Sequence, residues 1–494
     1  MTRRVRQRTL AGLVAAACAA ALVWQAVGSA TAEQAGAIDW KKCGTQAKCA
    51  TLTVPSDWSH PDGPKTKINL KMLPAADPAR SKGTVLANFG AGSSTPALDN
   101  PPPGVRALHR TFDLVSFDPR GLGVESNGTL VKCAKTTPPY DGLFAAKNRA
   151  DWDAYAKRNA EHADSCRAAM GAGYAGLTSW QVAHDMDAIR EGLGRKRIRY
   201  LGNSYGTAYG QAYAELFTDR VERMYLDGVA DHTQTSTRTW LRHYATTQER
   251  QLRHFADWCA GRDGCALHGS DVEAVWTDLV SEAGRRPLPA PGAGEGRTVD
   301  LAHLYMGAHY GMTPPLWPEL AAAMDEARHG DAGDFLTELA EPPGETFGSV
   351  QPDILCHDFL PHTPSYAAAL DIERRMKKVA PRFGWLEVRA ELGRCVGMDG
   401  EPSFAPHRLR VPGLPRTLVA IGDLDANTPN LGAEAVAAQL PDASVVRHGD
   451  GHAAMLLGNT CLIKLATKYL ADGSLPPRGT RCPGELVGQL PDHP

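Results

Sequence analysis

Short apolar runs, separated by turn residues and by amphipathic helical patterns, fill the chain from about residue 40 to residue 230. Their spacing and residue types predict six strands: Ala50–Val54, Lys67–Leu73, Thr84–Phe89, Asp113–Phe117, a run that begins at Ile198, and Arg223–Leu226. Two further strands are predicted at Thr417–Ile421 and Ser444–Arg447. Strands that alternate with helices indicate an α/β fold, here with a mostly parallel eight-stranded sheet covered by helices on both faces.

The strand pattern stops between residues 231 and 410. This segment instead contains helical patterns, such as Asp271–Arg285 with Trp276 and Leu279 on its apolar face, and a Pro/Gly-rich linker at Arg286–Arg297. We therefore predict a helical cap at 231–410, inserted into a core formed by residues 33–230 and 411–494. A large insertion above the strand ends often acts as a lid that selects the substrate.

The run that begins at Ile198 leads into Gly202-Asn203-Ser204-Tyr205-Gly206 and then into a helical pattern. Gly-x-Ser-x-Gly between a strand and a helix is typical of a nucleophile elbow, in which the serine sits on a sharp turn and each glycine avoids a clash with neighbouring backbone. Ser204 is therefore the candidate nucleophile. The alternative is an idle serine in a glycine-rich turn.

A serine hydroxyl becomes a useful nucleophile only when a histidine accepts its proton and a carboxylate orients that histidine. Asp425 follows the predicted seventh strand and His452 follows the eighth. The resulting chain order of Ser, Asp and His is the order found in α/β-hydrolases, which is the fold we predict. Asp423 and His448 remain competing candidates for the acid and the base.

The small residues after the third predicted strand are candidates for binding the developing oxyanion. In hydrolases of this layout one backbone N–H comes from that loop and another from the residue after the nucleophile. Gly90 or Ala91 would supply the first donor and Tyr205 the second. Taken alone, the loop could also be a plain glycine turn.

Residues 1–32 are predicted to form a secretory signal peptide. Arg3 and Arg4 begin a basic stretch, an apolar stretch follows, and Ala30-Thr31-Ala32 is a suitable cleavage site. A retained membrane anchor is the alternative. The formal net charge of −2 gives no electrostatic reason to expect nucleic acid or a membrane surface as partner.

The cysteine count also suits an exported protein. Of the 11 cysteines, Cys18 lies in the signal segment, and the remaining even number favours disulfides over metal ligands. Because they occur in local couples, we predict the pairs Cys43–Cys49, Cys133–Cys166, Cys259–Cys265, Cys356–Cys395 and Cys461–Cys482. No zinc-type spacing is present, so neither a metal nor another cofactor is expected.

Several segments together resemble the secreted bacterial tripeptidyl aminopeptidases of the proline iminopeptidase branch. They are residues 117–123, 202–207, 422–429 and 451–452 and the tail at 471–482. The resemblance implies an acid at Asp425 and a base at His452. One departure is that the family usually has a Gly-Gly-Pro-Gly type of oxyanion loop, whereas this chain has Ala91 after Gly90. If the backbone at Ala91 requires a positive φ, the alanine costs about 1–2 kcal/mol.

The expected function is that of a secreted serine hydrolase, an exopeptidase that releases short peptides, such as tripeptides, from free N-termini through an acyl-enzyme. An exopeptidase needs an acid that binds the substrate's α-ammonium, and Asp358 beside Cys356 is a candidate, with an exposed, solvated carboxylate as the alternative. One rival function is an esterase or amidase that uses the same triad on a small substrate. The other is a catalytically silent binding protein, because fold alone does not fix function.

Overall fold

The computed structural model describes residues 37–136, 141–144, 146–339, 350–359, 363–398 and 404–490. The predicted signal peptide at 1–32 lies outside these residues. These described residues form one compact unit. Within the described ranges, no helix is both long enough and apolar enough to cross a bilayer.

The strands follow the sequence prediction closely. In chain order they are β1 Lys41–Lys42, β2 Lys48–Pro55, β3 Lys65–Leu73, β4 Thr84–Asn88, β5 Asp113–Phe117, β6 Ile198–Asn203, β7 Val221–Asp227, β8 Leu288–Pro289, β9 Thr298–Val299, β10 Leu418–Gly422, β11 Ser444–His448 and β12 Arg481–Cys482. Eight of them have five or more residues and are the eight predicted strands. The two-residue strands were not predicted, because so short a segment has no measurable period.

The helices are α1 Pro103–His109, α2 Asp141–Phe144, α3 Arg149–Met170, α4 Ser179–Gly192, α5 Gly206–Leu216, α6 Thr237–Ala260, α7 Val272–Arg285, α8 Leu301–Gly311, α9 Trp317–Arg328, α10 Gln351–Asp358, α11 Tyr366–Val379, α12 Glu387–Gly393, α13 Asn430–Ala437, α14 Ala454–Leu457, α15 Thr460–Asp472 and α16 Glu485–Gly488. The start of α4 is capped, since the Thr178 hydroxyl accepts the backbone N–H of Gln181.

One large sheet contains all strands except β8 and β9. Its order is β1-β2-β3-β5-β4-β6-β7-β10-β11-β12, and the pairs from β5 to β12 are parallel. The strands β1, β2 and β3 join it antiparallel. This is the predicted α/β-hydrolase fold. The chain moves from β4 to β5 on one side and later to β6 on the other, and such a switch leaves a crevice at the carboxyl ends of the strands.

The helices from α6 to α12 lie in the predicted cap segment and have an apolar core of their own. Trp276, Trp317 and Phe383 are central to it. A separate apolar cluster packs the sheet against α1, α14 and α15. Two cores agree with an inserted cap, whose limits at 231 and 410 stay a prediction. β8 lies within the linker at Arg286–Arg297, and its partner strand β9 directly follows that linker.

The five cysteine pairs predicted from the sequence are confirmed: Cys43–Cys49, Cys133–Cys166, Cys259–Cys265, Cys356–Cys395 and Cys461–Cys482. Three of the bridges close loops of 21 to 39 residues. Closing loops of that length restricts the unfolded chain, so the bridges are expected to stabilise the fold.

We expect no free thiol in the mature protein, because all ten cysteines outside the signal segment are paired. Thiol titration of denatured, unreduced protein measures this directly. The same sample titrated after full reduction is the control and should give ten thiols. Two or more thiols before reduction would show that at least one bridge does not form.

Candidate active site

Ser204 sits on the turn between β6 and α5 with a backbone φ of +53°. A side chain in this left-handed region is strained, and such strain persists only where the surrounding structure enforces it. The two glycines of the motif are the reason that the turn closes. A Cβ at Gly202 would lie 2.6 Å from Gly206 O, and one at Gly206 would lie 2.5 Å from Asn88 O. The local geometry is therefore that of the predicted nucleophile elbow.

The oxyanion loop follows β4, whose last residue pairs with Gly202 of β6. This register brings Gly90 next to the candidate nucleophile, so that a Cβ at Gly90 would lie 3.5 Å from Ser204 Cβ. The Gly90 N–H donates to Asn88 Oδ1 at 3.2 Å. Because that donor is engaged, Ala91 is the better of the two predicted loop donors.

The backbone of the oxyanion loop shows whether Ala91 has the positive φ that would strain it. Gly90 has a φ of +145°, whereas the residues with a side chain and a positive φ in the described ranges are Ser204, Asp442 and Ala453. The positive φ thus falls on the glycine, and the strain anticipated at Ala91 does not arise. Ala91 and Tyr205 both line the cavity that contains Ser204.

Asp425 and His452 lie side by side after β10 and β11. His452 Nδ1 is 3.1 and 3.0 Å from the two carboxylate oxygens of Asp425. The same carboxylate accepts the backbone N–H of Asn427 and of Thr428 and the Thr428 hydroxyl. These bonds fix the carboxylate, which in turn can hold the imidazole with its proton on Nδ1 and leave Nε2 free to accept one.

The competing residues have other partners. Asp423 Oδ1 lies 3.1 Å from Arg447 Nη1, and its other oxygen pairs with Arg481. His448 is buried, and its Nε2 is 3.9 Å from Asp227 Oδ1. Neither residue takes part in the contact between Asp425 and His452.

Burial and charge act in opposite directions on this pair. Burial lowers the pKa of His452, but the Asp425 charge and hydrogen bond outweigh it and raise the pKa above its ordinary value. Burial raises the pKa of Asp425, whereas the charge of His452 and the hydrogen bonds of Thr428 bring it below its usual value. The pair therefore stabilises the imidazolium that forms when a general base accepts a proton.

Ser204 and His452 both lie against the end of β7. The Ser204 N–H donates to Asp227 O at 3.0 Å. The next residue, Gly228, has a φ of +61°, and a Cβ there would lie 2.8 Å from His452 Cε1. Within the described residues no hydrogen bond joins Ser204 Oγ to the imidazole, and such bonds often tighten only when substrate binds.

A cavity of about 190 Å³ opens at Ser204. Part of its wall is apolar and comes from Trp240, Leu355 and Phe359. The same cavity is lined by a charged cluster that the sequence analysis did not single out, formed by His309, Glu387, Glu391 and Arg394.

The two glutamates of the cluster are buried, and each lies close to one of its two basic residues. Glu387 Oε2 accepts the Tyr305 hydroxyl and lies 3.4 Å from His309 Nδ1. Glu391 Oε1 lies 3.5 Å from Arg394 Nε. Burial raises the pKa of Glu387, but the charge of His309 outweighs it and the net pKa is lowered. Burial raises the pKa of Glu391, and the neighbouring Glu387 adds to that increase.

Asp358 does not lie where either sequence-based interpretation placed it. It is fully buried, so it is not a solvated surface acid, and it is absent from the residues that line the cavity. Its carboxylate accepts hydrogen bonds from Ser179 and from the Tyr205 hydroxyl. Burial raises the pKa of Asp358 to about 6, against the hydrogen bonds of Ser179 and Tyr205, which lower it. This placement does not support the expected contact between Asp358 and a substrate ammonium.

One group of side chains in the described ranges has the spacing of a metal site. It consists of Cys133, His162 and Cys166. Both sulfurs belong to one disulfide, however, so neither is available as a thiolate ligand.

Comparison with known proteins adds to this geometry. Residues 381–482 match the family described as TAP-like protein. Serine protease Hip1 of Mycobacterium tuberculosis is 29% identical over 488 residues, which cover 90% of this chain and 91% of Hip1. The protein is a serine hydrolase with the α/β-hydrolase fold.

Two further relatives extend the comparison. Tripeptidyl aminopeptidase of Streptomyces coelicolor is 25% identical to this serine hydrolase, and the aligned region covers 92% of this chain and 88% of that relative. Carboxylesterase B of Mycobacterium tuberculosis is 29% identical, and the aligned region covers 88% of this chain and 86% of that relative. The predicted resemblance to the tripeptidyl aminopeptidases is confirmed.

Proposed function

We propose that the protein is a secreted exopeptidase that removes short peptides from free N-termini with Ser204, His452 and Asp425 as its triad. Ser204 Oγ attacks the scissile carbonyl carbon while His452 takes the hydroxyl proton, and the backbone N–H groups of Ala91 and Tyr205 bind the oxyanion. His452 then returns the proton to the leaving amine as the C–N bond breaks. Water, activated by the same histidine, hydrolyses the acyl-enzyme and frees Ser204.

The observation that carries the exopeptidase proposal is that Ser204 and the charged cluster share one cavity. When the scissile bond lies at Ser204, the part of the peptide before that bond can extend toward Glu387 and Glu391. Its α-ammonium lies at these glutamates only if the peptide chain begins there. An amino-terminal ammonium is attracted by such carboxylates, whereas a continuing chain would bring an uncharged amide.

Glu387 offers the better acceptor. Its Oε1 is buried and, apart from a hydrogen bond from Glu391 when that carboxyl carries a proton, has no donor among the residues that the structure describes. A buried acceptor without a donor is costly, typically by about 1–3 kcal/mol, so a ligand that supplies N–H groups is favoured there. An ammonium supplies both the donors and the positive charge, and Glu387 replaces Asp358 as the candidate for this contact.

We expect N-acetylation of a tripeptide anilide to lower kcat/KM by roughly 100-fold, because it removes the ammonium and its donors from the buried Glu387 Oε1, and an unsatisfied buried group costs about 1–3 kcal/mol, or more when it is charged. Steady-state kinetics on the free and the acetylated anilide measure this ratio. Equal kcat/KM values for the two substrates would contradict the exopeptidase proposal and leave the triad untouched.

A variant shows whether Glu387 causes the discrimination. Glu387→Gln should reduce the ratio between free and acetylated substrate to within a few-fold, because the residue that senses the ammonium is gone. Glu373→Gln is the matched control. Glu373 is also a mostly buried cap glutamate, but it accepts from Arg389 Nε at 2.9 Å and does not line the cavity. Its ratio should equal that of the wild type.

An esterase or amidase acting on a small substrate is the second candidate, supported by the relative named Carboxylesterase B. Such an enzyme would cleave p-nitrophenyl esters efficiently and would not distinguish the free from the acetylated anilide. A silent binding protein would resist labelling by a fluorophosphonate, which reacts with an activated serine. Labelling that disappears in Ser204→Ala would exclude it.

Export is part of the proposal. It is supported by the signal-like sequence at 1–32 and by five disulfides, which persist in oxidising compartments. N-terminal sequencing of protein recovered from the culture medium tests it, and a mature chain that begins near residue 33 is the expected result.

A further inference from the structure

We propose that Asp358 is a positioning residue that holds the oxyanion donor Tyr205 in place through its side chain and connects the cap helix α10 to the reaction centre. This inference rests on the proposed function, in which the backbone N–H of Tyr205 binds the oxyanion. It gives Asp358 a role in the reaction without contact with the substrate.

The Tyr205 side chain leaves the elbow and ends on α10. Its hydroxyl lies 2.6 Å from Asp358 Oδ2 and 3.1 Å from Ile354 O. The hydroxyl has one proton, and the shorter contact to the charged acceptor takes it. The backbone atom that binds the oxyanion and the ring that is anchored on the cap thus belong to one residue.

Asp358 is itself fixed from the core. Its two carboxylate oxygens each lie 3.0 Å from Ser179 N, and Oδ2 also accepts the Ser179 hydroxyl at 2.6 Å. Ser179 begins α4, where free backbone N–H groups favour a negative charge. Asp358 is 0% exposed and Tyr205 is 4% exposed, so water does not replace these bonds.

The same helix forms part of the substrate cavity. Leu355 of α10 and Phe359, which directly follows the last residue of this helix, line the cavity with Tyr205. A substrate that packs against this wall presses on the helix that anchors Tyr205. The contact therefore offers a route by which occupancy of the cavity affects the position of the oxyanion donor.

An oxyanion bond is strong only when the donor lies at the position where charge develops. Removing the Tyr205 hydroxyl leaves the backbone N–H in the protein but releases the ring from α10. Removal of a whole oxyanion donor lowers kcat by about 100- to 1,000-fold, so the partial displacement expected in Tyr205→Phe should lower kcat by roughly 10-fold or more. Ground-state binding does not need the oxyanion contact, so KM should change by less than about threefold.

The experiment compares Tyr205→Phe with Tyr174→Phe in the mature protein. Tyr174 is a matched control, since it is 5% exposed and its hydroxyl lies 2.5 Å from Asp353 Oδ1 on the same helix. Both variants lose one buried bond from a tyrosine to an aspartate of α10. Only Tyr205 also carries the oxyanion N–H, so Tyr174→Phe should keep the wild-type kcat.

Two further measurements separate positioning from general loss of structure. A peptidyl boronic acid forms a tetrahedral adduct whose oxygen occupies the oxyanion site, so its affinity should fall in Tyr205→Phe in parallel with kcat. Asp358→Asn keeps the size of the side chain but places an amide NH₂ against the donors of Ser179 and Tyr205, and it should reproduce the kcat loss. Thermal unfolding of all variants reports on the fold.

Each outcome decides the proposal. A kcat loss in Tyr205→Phe and Asp358→Asn, with weaker boronate binding and a normal Tyr174→Phe, supports it. A kcat of Tyr205→Phe within twofold of the wild type, or an equal loss in Tyr174→Phe, overturns it. Failure of the proposed function has a different signature in the wild-type protein. A triad that does not act would leave Ser204 unlabelled by a fluorophosphonate, and a different substrate class would give equal kcat/KM values for the free and the acetylated anilide.

Discussion

Replacing Ser204 with alanine is expected to lower kcat by on the order of 10⁴- to 10⁶-fold, because the nucleophile and its base act as one unit. The residual rate would come from substrate binding and from the oxyanion donors, which the substitution leaves in place. Alanine should adopt the same strained turn as serine, since Gly202 and Gly206 allow the close approach that enforces it. Thermal unfolding of the variant should therefore resemble that of the wild type.

Ser116→Ala is a suitable control for this measurement. Ser116 is a fully buried serine in β5, and its hydroxyl has no hydrogen-bond partner among the described residues. Its removal should leave kcat unchanged. Substantial activity in Ser204→Ala, measured on an anilide or an ester, would contradict the assignment of the nucleophile, whichever substrate class is correct.

The elbow is the part of the site that sequence predicts best, because its constraints are local. The Gly-x-Ser-x-Gly spacing follows from contacts over a few residues, and the distances that a Cβ would have at Gly202 and Gly206 give the physical reason. The same argument could not choose between Gly90 and Ala91. That choice depends on one hydrogen bond to Asn88 and on which of the two residues has the positive φ.

The charged cluster in the cavity could not be derived from sequence in the same way. Glu387 and His309 lie on different helices and are 78 positions apart in the chain. They come into contact only through the packing of the cap. One signal was present. Glu387 and Glu391 are like charges at i and i+4 of α12, an arrangement that destabilises an ordinary solvated helix. Such a pair suggests a purpose other than solvation.

Asp358 is a residue for which the sequence suggests a substrate contact that the structure does not show. The sequence offers it as a candidate only because an exopeptidase needs an acid in the cap, and no contact pattern supports that choice. Its true surroundings, at the first residue of α4 and the hydroxyl of Tyr205, involve partners 179 and 153 positions away. Sequence predicts which residues share a helix or strand, whereas the partner of a single buried carboxylate depends on how those elements pack.

Replacing Asp425 with asparagine is expected to lower kcat by roughly 10⁴-fold, because an amide in place of the carboxylate favours the wrong tautomer of His452 and removes the charge that stabilises the imidazolium. The asparagine NH₂ would also oppose the donors of Asn427 or Thr428, which the carboxylate now accepts.

The matched control is Asp423→Asn, two residues away on the same loop. Asp423 pairs with Arg447 and Arg481 and is partly exposed, so the loss of these pairs should cost no more than about 1 kcal/mol of stability and leave kcat close to the wild-type value. The decisive observation is which of the two variants loses more activity. If Asp423→Asn loses more activity than Asp425→Asn, then Asp423 orients the histidine during turnover, and the contact between Asp425 and His452 is not the one used in the reaction.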